Sequence, residues 1–116
     1  MSRESGRTDV LQGTLDLMIL KTLDVMGPLH GYGIARRIEQ VSRDALKLNE
    51  GTVYASLVRL QNRRLVRTSW GVSENNRKAK FYAITPLGRR ELAAETENWE
   101  RVAGVIERLF RQAEER

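Results

Sequence analysis

Seven positively charged side chains crowd one short stretch of this chain: Arg59, Arg63, Arg64, Arg67, Arg77, Lys78 and Lys80, opposed between residues 59 and 85 by Glu74 alone. Guanidinium and ammonium groups at that density suit the neutralisation of a partner with regularly spaced negative charge, most often nucleic acid. The 116 residues carry a formal charge of +5, and segments 1–27, 28–58 and 86–116 contribute −1, +1 and −1. The +6 of residues 59–85 therefore accounts for the whole imbalance. A face that meets only solvent mixes its signs, because clustered like charges repel. A solubilising surface without a partner is the plain alternative.

Other chemistries find little support. The chain has no cysteine and one histidine, His30, which excludes thiolate chemistry, disulfides, cysteine-based zinc sites and a multi-histidine metal site within one chain. No phosphate loop, supported carboxylate pair or nucleophile–base pair is present, so an enzyme is not expected, nor any cofactor or metal. An exposed aromatic platform of the kind single-stranded RNA favours is also missing. With 41% hydrophobic and 30% charged residues the chain reads as one globular domain. Gln12, Asp16, Lys21 and Asp24 interrupt the longest apolar run, so no membrane partner is expected, and a cytoplasmic location fits. Residues 1–8 read as a flexible lead-in.

The elements that must carry the basic stretch follow from periodicity. Val10–Met26 predicts a helix capped by Thr8 or Asp9, with Leu11, Leu15, Met18, Ile19, Thr22 and Leu23 at helical spacing. Leu17 and Leu20 fall outside that stripe, which implies burial from two sides and hints at a second chain. Gly27-Pro28 ends it. His30 or Gly31 opens a second helix to about Val41; Ala45–Leu48 is short enough to be a lone strand; Asn49 caps a third helix over about 50–63, cored by Val53, Leu57 and Leu60. Leu65–Trp70 and Lys80–Thr85 read as strands joined by a long polar, basic tip over 71–79. Thr85-Pro86 starts a last helix.

The order helix, helix, strand, helix, strand, strand predicts a mainly α fold with a small β-hairpin: a winged helix–turn–helix over residues 9–85 followed by a long C-terminal dimerisation helix over 86–116. The third helix is the one to enter a major groove, and the hairpin lies along the adjacent backbone or minor groove. Thr52, Tyr54, Ala55, Arg59 and Arg63 are the expected recognition-helix residues, and Asn76, Arg77, Lys78 and Lys80 the wing residues. Arg59 suits a guanine edge, or equally a phosphate. Tyr54 reaches bases, or packs with its hydroxyl on a phosphate. A winged-helix module that binds an acidic protein is the competing reading.

Four stretches resemble the PadR family of bacterial transcriptional regulators: Gly13-Thr14-Leu15-Asp16-Leu17, Gly27-Pro28-Leu29-His30-Gly31-Tyr32-Gly33-Ile34, Gly51-Thr52-Val53-Tyr54, and Arg77 through Gly88. The likeness spans about residues 13–113 and is to the short subgroup with one C-terminal helix. It implies a homodimeric repressor on a pseudo-palindromic operator, with Tyr32 as a phosphate partner and, in some members, release by a small aromatic effector. Two residues depart from the pattern. Ala55 replaces the usual proline, and Arg64 replaces a glycine suited to a left-handed helix end, a conformation that costs arginine about 1–2 kcal/mol.

Leu92, Thr96, Trp99, Ala103, Ile106, Phe110 and Ala113 alternate at spacings of four and three, a seam of about three heptads. A helix of some 30 residues runs about 45 Å, beyond the reach of a small core. Leu15, Leu92, Thr96, Trp99, Ala103, Ile106 and Phe110 are therefore the expected dimer interface. Trp99 is either a packing residue of that seam or, by analogy with multidrug-binding members, one wall of an effector pocket.

Overall fold

The computed structural model describes residues 12–114. The expected caps Thr8 and Asp9, the stripe residue Leu11 and the lead-in lie outside them. Helix α1 spans Gln12–Met26 and is followed by a two-residue strand β1 (Leu29–His30), helices α2 (Gly31–Val41) and α3 (Glu50–Asn62), strands β2 (Val66–Val72) and β3 (Lys78–Ile84), and the long α4 (Pro86–Glu114). The strands form one antiparallel sheet in the order β1-β3-β2, with Leu29 opposite Tyr82 and Val66 opposite Ile84. This is a winged helix–turn–helix with a long C-terminal helix.

The first strand is not where the apolar pair Leu46 and Leu48 suggested it. Residues 45–48 form a loop whose amides are satisfied by side chains: Leu46 N–H donates to Ser42 Oγ at 3.2 Å and Leu48 N–H to the buried Glu39 carboxylate at 3.0 Å. With those donors occupied no ladder is needed, and Leu29–His30 takes the free edge of β3 instead. The observed order is helix, strand, helix, helix, strand, strand. The wing strands also run further than expected, so Val72 and Lys78 pair, and the tip shrinks to a turn closed by Ser73 N–H to Arg77 O at 2.8 Å.

Helix α1 is the centre of the molecule. Its Leu15, Ile19, Leu20 and Leu23 are buried in one core with Ile34, Ile38, Val53, Leu57, Leu60 and Tyr82. The second cover comes from the same chain, where the first turns of α4 lay Leu92 over α1. Arg89 of α4 donates to Asp24 of α1 at 3.3 Å. Leu15 and Leu92 are thus corrected from dimer interface to protomer core.

Helix α3 ends in a Schellman motif: Leu65 N–H donates to Leu60 O and Arg64 N–H to Gln61 O, both at 2.9 Å, with Arg64 at φ 63°. The left-handed exit is therefore kept with arginine in the position that favours glycine. Arg64→Gly should stabilise the protein by about 0.5–1 kcal/mol, the steric relief exceeding the added chain entropy. A melting temperature raised by a few degrees in a circular dichroism scan is the expected result; a lowered one would show that the arginine side chain repays its own strain.

Candidate nucleic-acid interface

The N-terminal ends of α2 and α3 lie side by side, and each is fixed by a side-chain cap. His30 Nδ1 accepts from Gly33 N–H at 3.2 Å, and its ring stacks on Phe81 of β3 with centroids 5.5 Å apart. Asn49 Oδ1 accepts from Gly51 and Thr52 N–H at 2.7 and 3.3 Å. These caps aim the first turns of both helices at β3. Tyr32, Tyr54, Lys80 and Tyr82 line the resulting cleft, of about 300 Å³. Tyr32 and Tyr54 are 60% and 59% exposed, unusual for rings of that size. Thr52 and Ala55 are also exposed.

Burial lifts the Tyr82 phenol above the usual tyrosine value of 10.0, and charge on Tyr54 adds to the lift. A raised folded-state value means that the protonated form is favoured on folding. That stability is present below about pH 10 and is lost as pH climbs through the folded-state value. Ultraviolet titration of a Tyr32→Phe/Tyr54→Phe variant, which keeps Tyr82 as its one tyrosine, should show the phenol ionising above about pH 10, with loss of stability following it. A transition at about pH 10 or below would remove this effect.

The basic stretch does not form one surface. Arg59 turns inward: its Nη2 donates to Asp16 Oδ1 of α1 at 3.0 Å and to Ser56 Oγ at 3.2 Å, while the Ser56 hydroxyl itself donates to Asp16. Ser56 is fully buried, and Arg59 Nε is buried without a partner among the described residues. Arg63 donates to Glu91 of α4 at 2.9 Å. Both arginines expected on the recognition surface are thus committed to carboxylates on neighbouring helices. The outer face of α3 presents Thr52, Tyr54, Ala55 and Val58 instead. Sequence periodicity places Arg59 on the helix but carries no sign of an acid 43 residues away.

The wing keeps its charge. Arg77, Lys78 and Lys80 have no carboxylate partner among the described residues. Strand alternation puts Lys78 and Lys80 on the sheet face that carries Tyr82 and looks toward the cleft, whereas Arg67 pairs with Ala83 on the opposite face. Asn76 holds φ 58° at the tip, a conformation asparagine tolerates, and its N–H donates to Ser73 O. Lys78 and Lys80 are therefore the hairpin cations on the face that looks toward the cleft, beside the exposed front of α3.

On α4, Thr96 and Ala103 are half-buried, while Trp99 (54%), Ile106 and Phe110 (70%) are exposed, with Val102, Val105 and Leu109 beside them. Gly13, Thr14, Leu17, Glu95, Asn98 and Val102 surround Trp99 in a cleft of about 290 Å³. Among the described residues no cluster of acidic, histidine or cysteine side chains could hold a metal ion, and no helix is long and apolar enough to cross a membrane.

The family model described as the transcriptional regulator PadR-like family matches residues 19–94. A transcriptional regulator from Clostridium thermocellum superposes with a TM-score of 0.77 at 29% identity, over 87% of this chain and 97% of that one. A PadR-like transcriptional regulator from Bacillus cereus gives a TM-score of 0.74 at 25% identity, over 86% and 94%. An uncharacterised protein of Lysinibacillus sphaericus is 29% identical over 101 residues, which is 87% of this chain and 92% of that protein.

Proposed function

The chain belongs to the PadR-like family of transcriptional regulators, and from that membership we propose that it acts as a homodimeric repressor on a pseudo-palindromic operator. It is a DNA-binding transcription regulator and not an enzyme. The observation that carries the finer reading is the juxtaposition of the exposed start of α3 with wing cations that have no carboxylate partner among the described residues. In this reading residues 9–85 form the DNA-binding part and residues 86–116 the dimerisation helix, working on chromosomal DNA in the cytoplasm.

Thr52, Tyr54 and Ala55 enter the major groove, and Tyr32 meets a phosphate at the start of α2. Arg77, Lys78 and Lys80 follow the adjacent backbone, with Asn76 shaping the tip. The ion pairs of Arg59 with Asp16 and of Arg63 with Glu91 favour a supporting role for both arginines: they hold α3 against α1 and α4. Removing Lys78 should weaken binding to all duplexes alike and lower the salt dependence by about one counterion. A loss confined to one operator base would instead make Lys78 a reader of sequence.

The dimer rests on the uncovered face of α4. Trp99, Ala103, Ile106 and Phe110 pack on the second copy, with Thr96 at the edge of the contact. A cleft beside Trp99 large enough for a ring system supports a small planar aromatic compound as the releasing signal, and quenching of Trp99 emission by such compounds tests it. Footprinting on the DNA upstream of the protein's own gene tests the whole proposal. Two related half-sites about 10 base pairs or a multiple apart are expected. Absence of protection at physiological salt, with tight binding to an acidic protein, would establish the interaction module instead.

A further inference from the structure

The wing carries an indole that the protomer's core does not use. Trp70 of β2 stands opposite Lys80 and is 65% exposed, and Val72, opposite Lys78, is equally exposed. Strand alternation places all four on one face of the hairpin, the face whose inner end holds the buried Val66, Tyr82 and Ile84. The row therefore continues outward from the cleft that Tyr54 and Lys80 line. Lys78 Nζ lies 5.2 Å from the centre of the Trp70 ring, and Lys80 Nζ lies 5.9 Å from that of Tyr82. A cation over each ring fixes its orientation while leaving the other face of Trp70 open. A tryptophan left this exposed gives up most of the burial that makes the residue worth having in a core.

We infer that Trp70 is a DNA-contacting residue whose indole, with Val72, packs on the apolar sugar edges of the minor groove while Lys78 and Lys80 neutralise the flanking phosphates. The inference rests on the DNA-binding reading above and adds an apolar contact to a wing that charge alone would describe. A DNA strand alternates anionic phosphates with apolar sugars, and this face alternates ammonium groups with an indole and a valine. An apolar protein surface would have to desolvate both lysines without replacing their counter-charge. Apolar side chains set into the minor groove are an established means of gaining affinity without reading bases by hydrogen bonds.

The chain has two tryptophans, so subtracting the emission of a Trp70→Phe variant, in which Trp99 is unchanged, from that of the parent leaves the signal of Trp70. Titration with an end-labelled operator duplex then gives two independent signals, label anisotropy for binding and indole emission for contact. Binding accompanied by a change in Trp70 emission is expected. Trp70→Ala should bind about tenfold more weakly on every duplex with an unchanged salt slope, because an apolar contact releases no counterion; Trp70→Phe should recover most of the loss. Normal anisotropy with constant emission, and a Trp70→Ala variant that binds like the parent, would overturn the inference and leave the DNA-binding reading intact. Anisotropy that never rises on any duplex would remove that reading, and this inference with it. An emission change on adding an acidic protein, with none on DNA, would give the face to a protein partner and overturn it too.

Discussion

The double variant Trp99→Asp/Ile106→Asp should sediment as a folded monomer and bind its operator at least about 100-fold more weakly than the parent. Both side chains are about half exposed in the protomer, so replacing them leaves the core around Leu15, Ile19 and Leu57 untouched and the helical circular dichroism unchanged. In a dimer they lie at the centre of the contact, and two buried carboxylates facing their own copies in a second chain combine desolvation with like-charge repulsion. The loss on DNA follows from valency. A dimer that has seated one half-site presents the second at high effective concentration, and a monomer forfeits that gain, typically 100-fold or more. Sedimentation equilibrium at micromolar protein checks the first outcome and operator titration the second. A variant that remains a dimer would place the seam elsewhere on the molecule.

Gly88→Ala should be the most destabilising single-methyl change in the chain, at about 3 kcal/mol, lowering the melting temperature by roughly 10 °C. A β-carbon at residue 88 would stand 2.1 Å from the Leu65 carbonyl oxygen and 2.8 Å from the Ile84 side chain. The first obstacle is backbone and cannot swing aside. That carbonyl belongs to a junction in which four elements meet. Thr85 N–H donates to Leu65 O, Thr85 Oγ1 donates to Arg64 O at 2.8 Å, and Gly88 N–H donates to Thr85 Oγ1 at 2.9 Å. One threonine thus caps α4 and ties it to the end of α3 and the start of β2. Displacing α4 there also shifts the recognition helix relative to the dimer axis, so operator affinity should fall along with stability. A thermal scan within about 2 °C of the parent would contradict the tight junction.

Much of this fold was legible because its signals are local. Asn49 before Glu50, Thr85 before Pro86 and Gly27-Pro28 after Met26 mark helix ends through hydrogen bonds that span only a few residues. The stripe Val53, Leu57, Leu60 marks the buried side of α3 by period alone. The misplaced strand shows the limit. Leu29–His30 is too short to display alternation, whereas Leu46 and Leu48 display it by chance while their amides bond to Ser42 and Glu39.

The site was legible in outline and misread in detail for a related reason. A run of cations in sequence states a charge excess but not which members already have partners. Asp16 and Glu91 lie 43 and 28 positions from the arginines they hold, and only the packing of α1 and α4 on α3 brings them together. Leu15 points to a second chain because a doubly apolar helix needs two covers, and Leu92 because it opens the four-and-three seam of the last helix. The returning α4 supplies one of those covers.

Since the chain has no cysteine, a single Asn75→Cys change puts one thiol at the exposed tip of the wing, where a DNA-cleaving iron chelate can be attached. Bound to its operator, the labelled protein should cut the duplex in two clusters, mirror-related about the centre of the footprint, as two wings set on one double helix by a two-fold axis require. A single cluster, or no cutting while the protein remains bound, would mean that the wings do not both lie on the duplex.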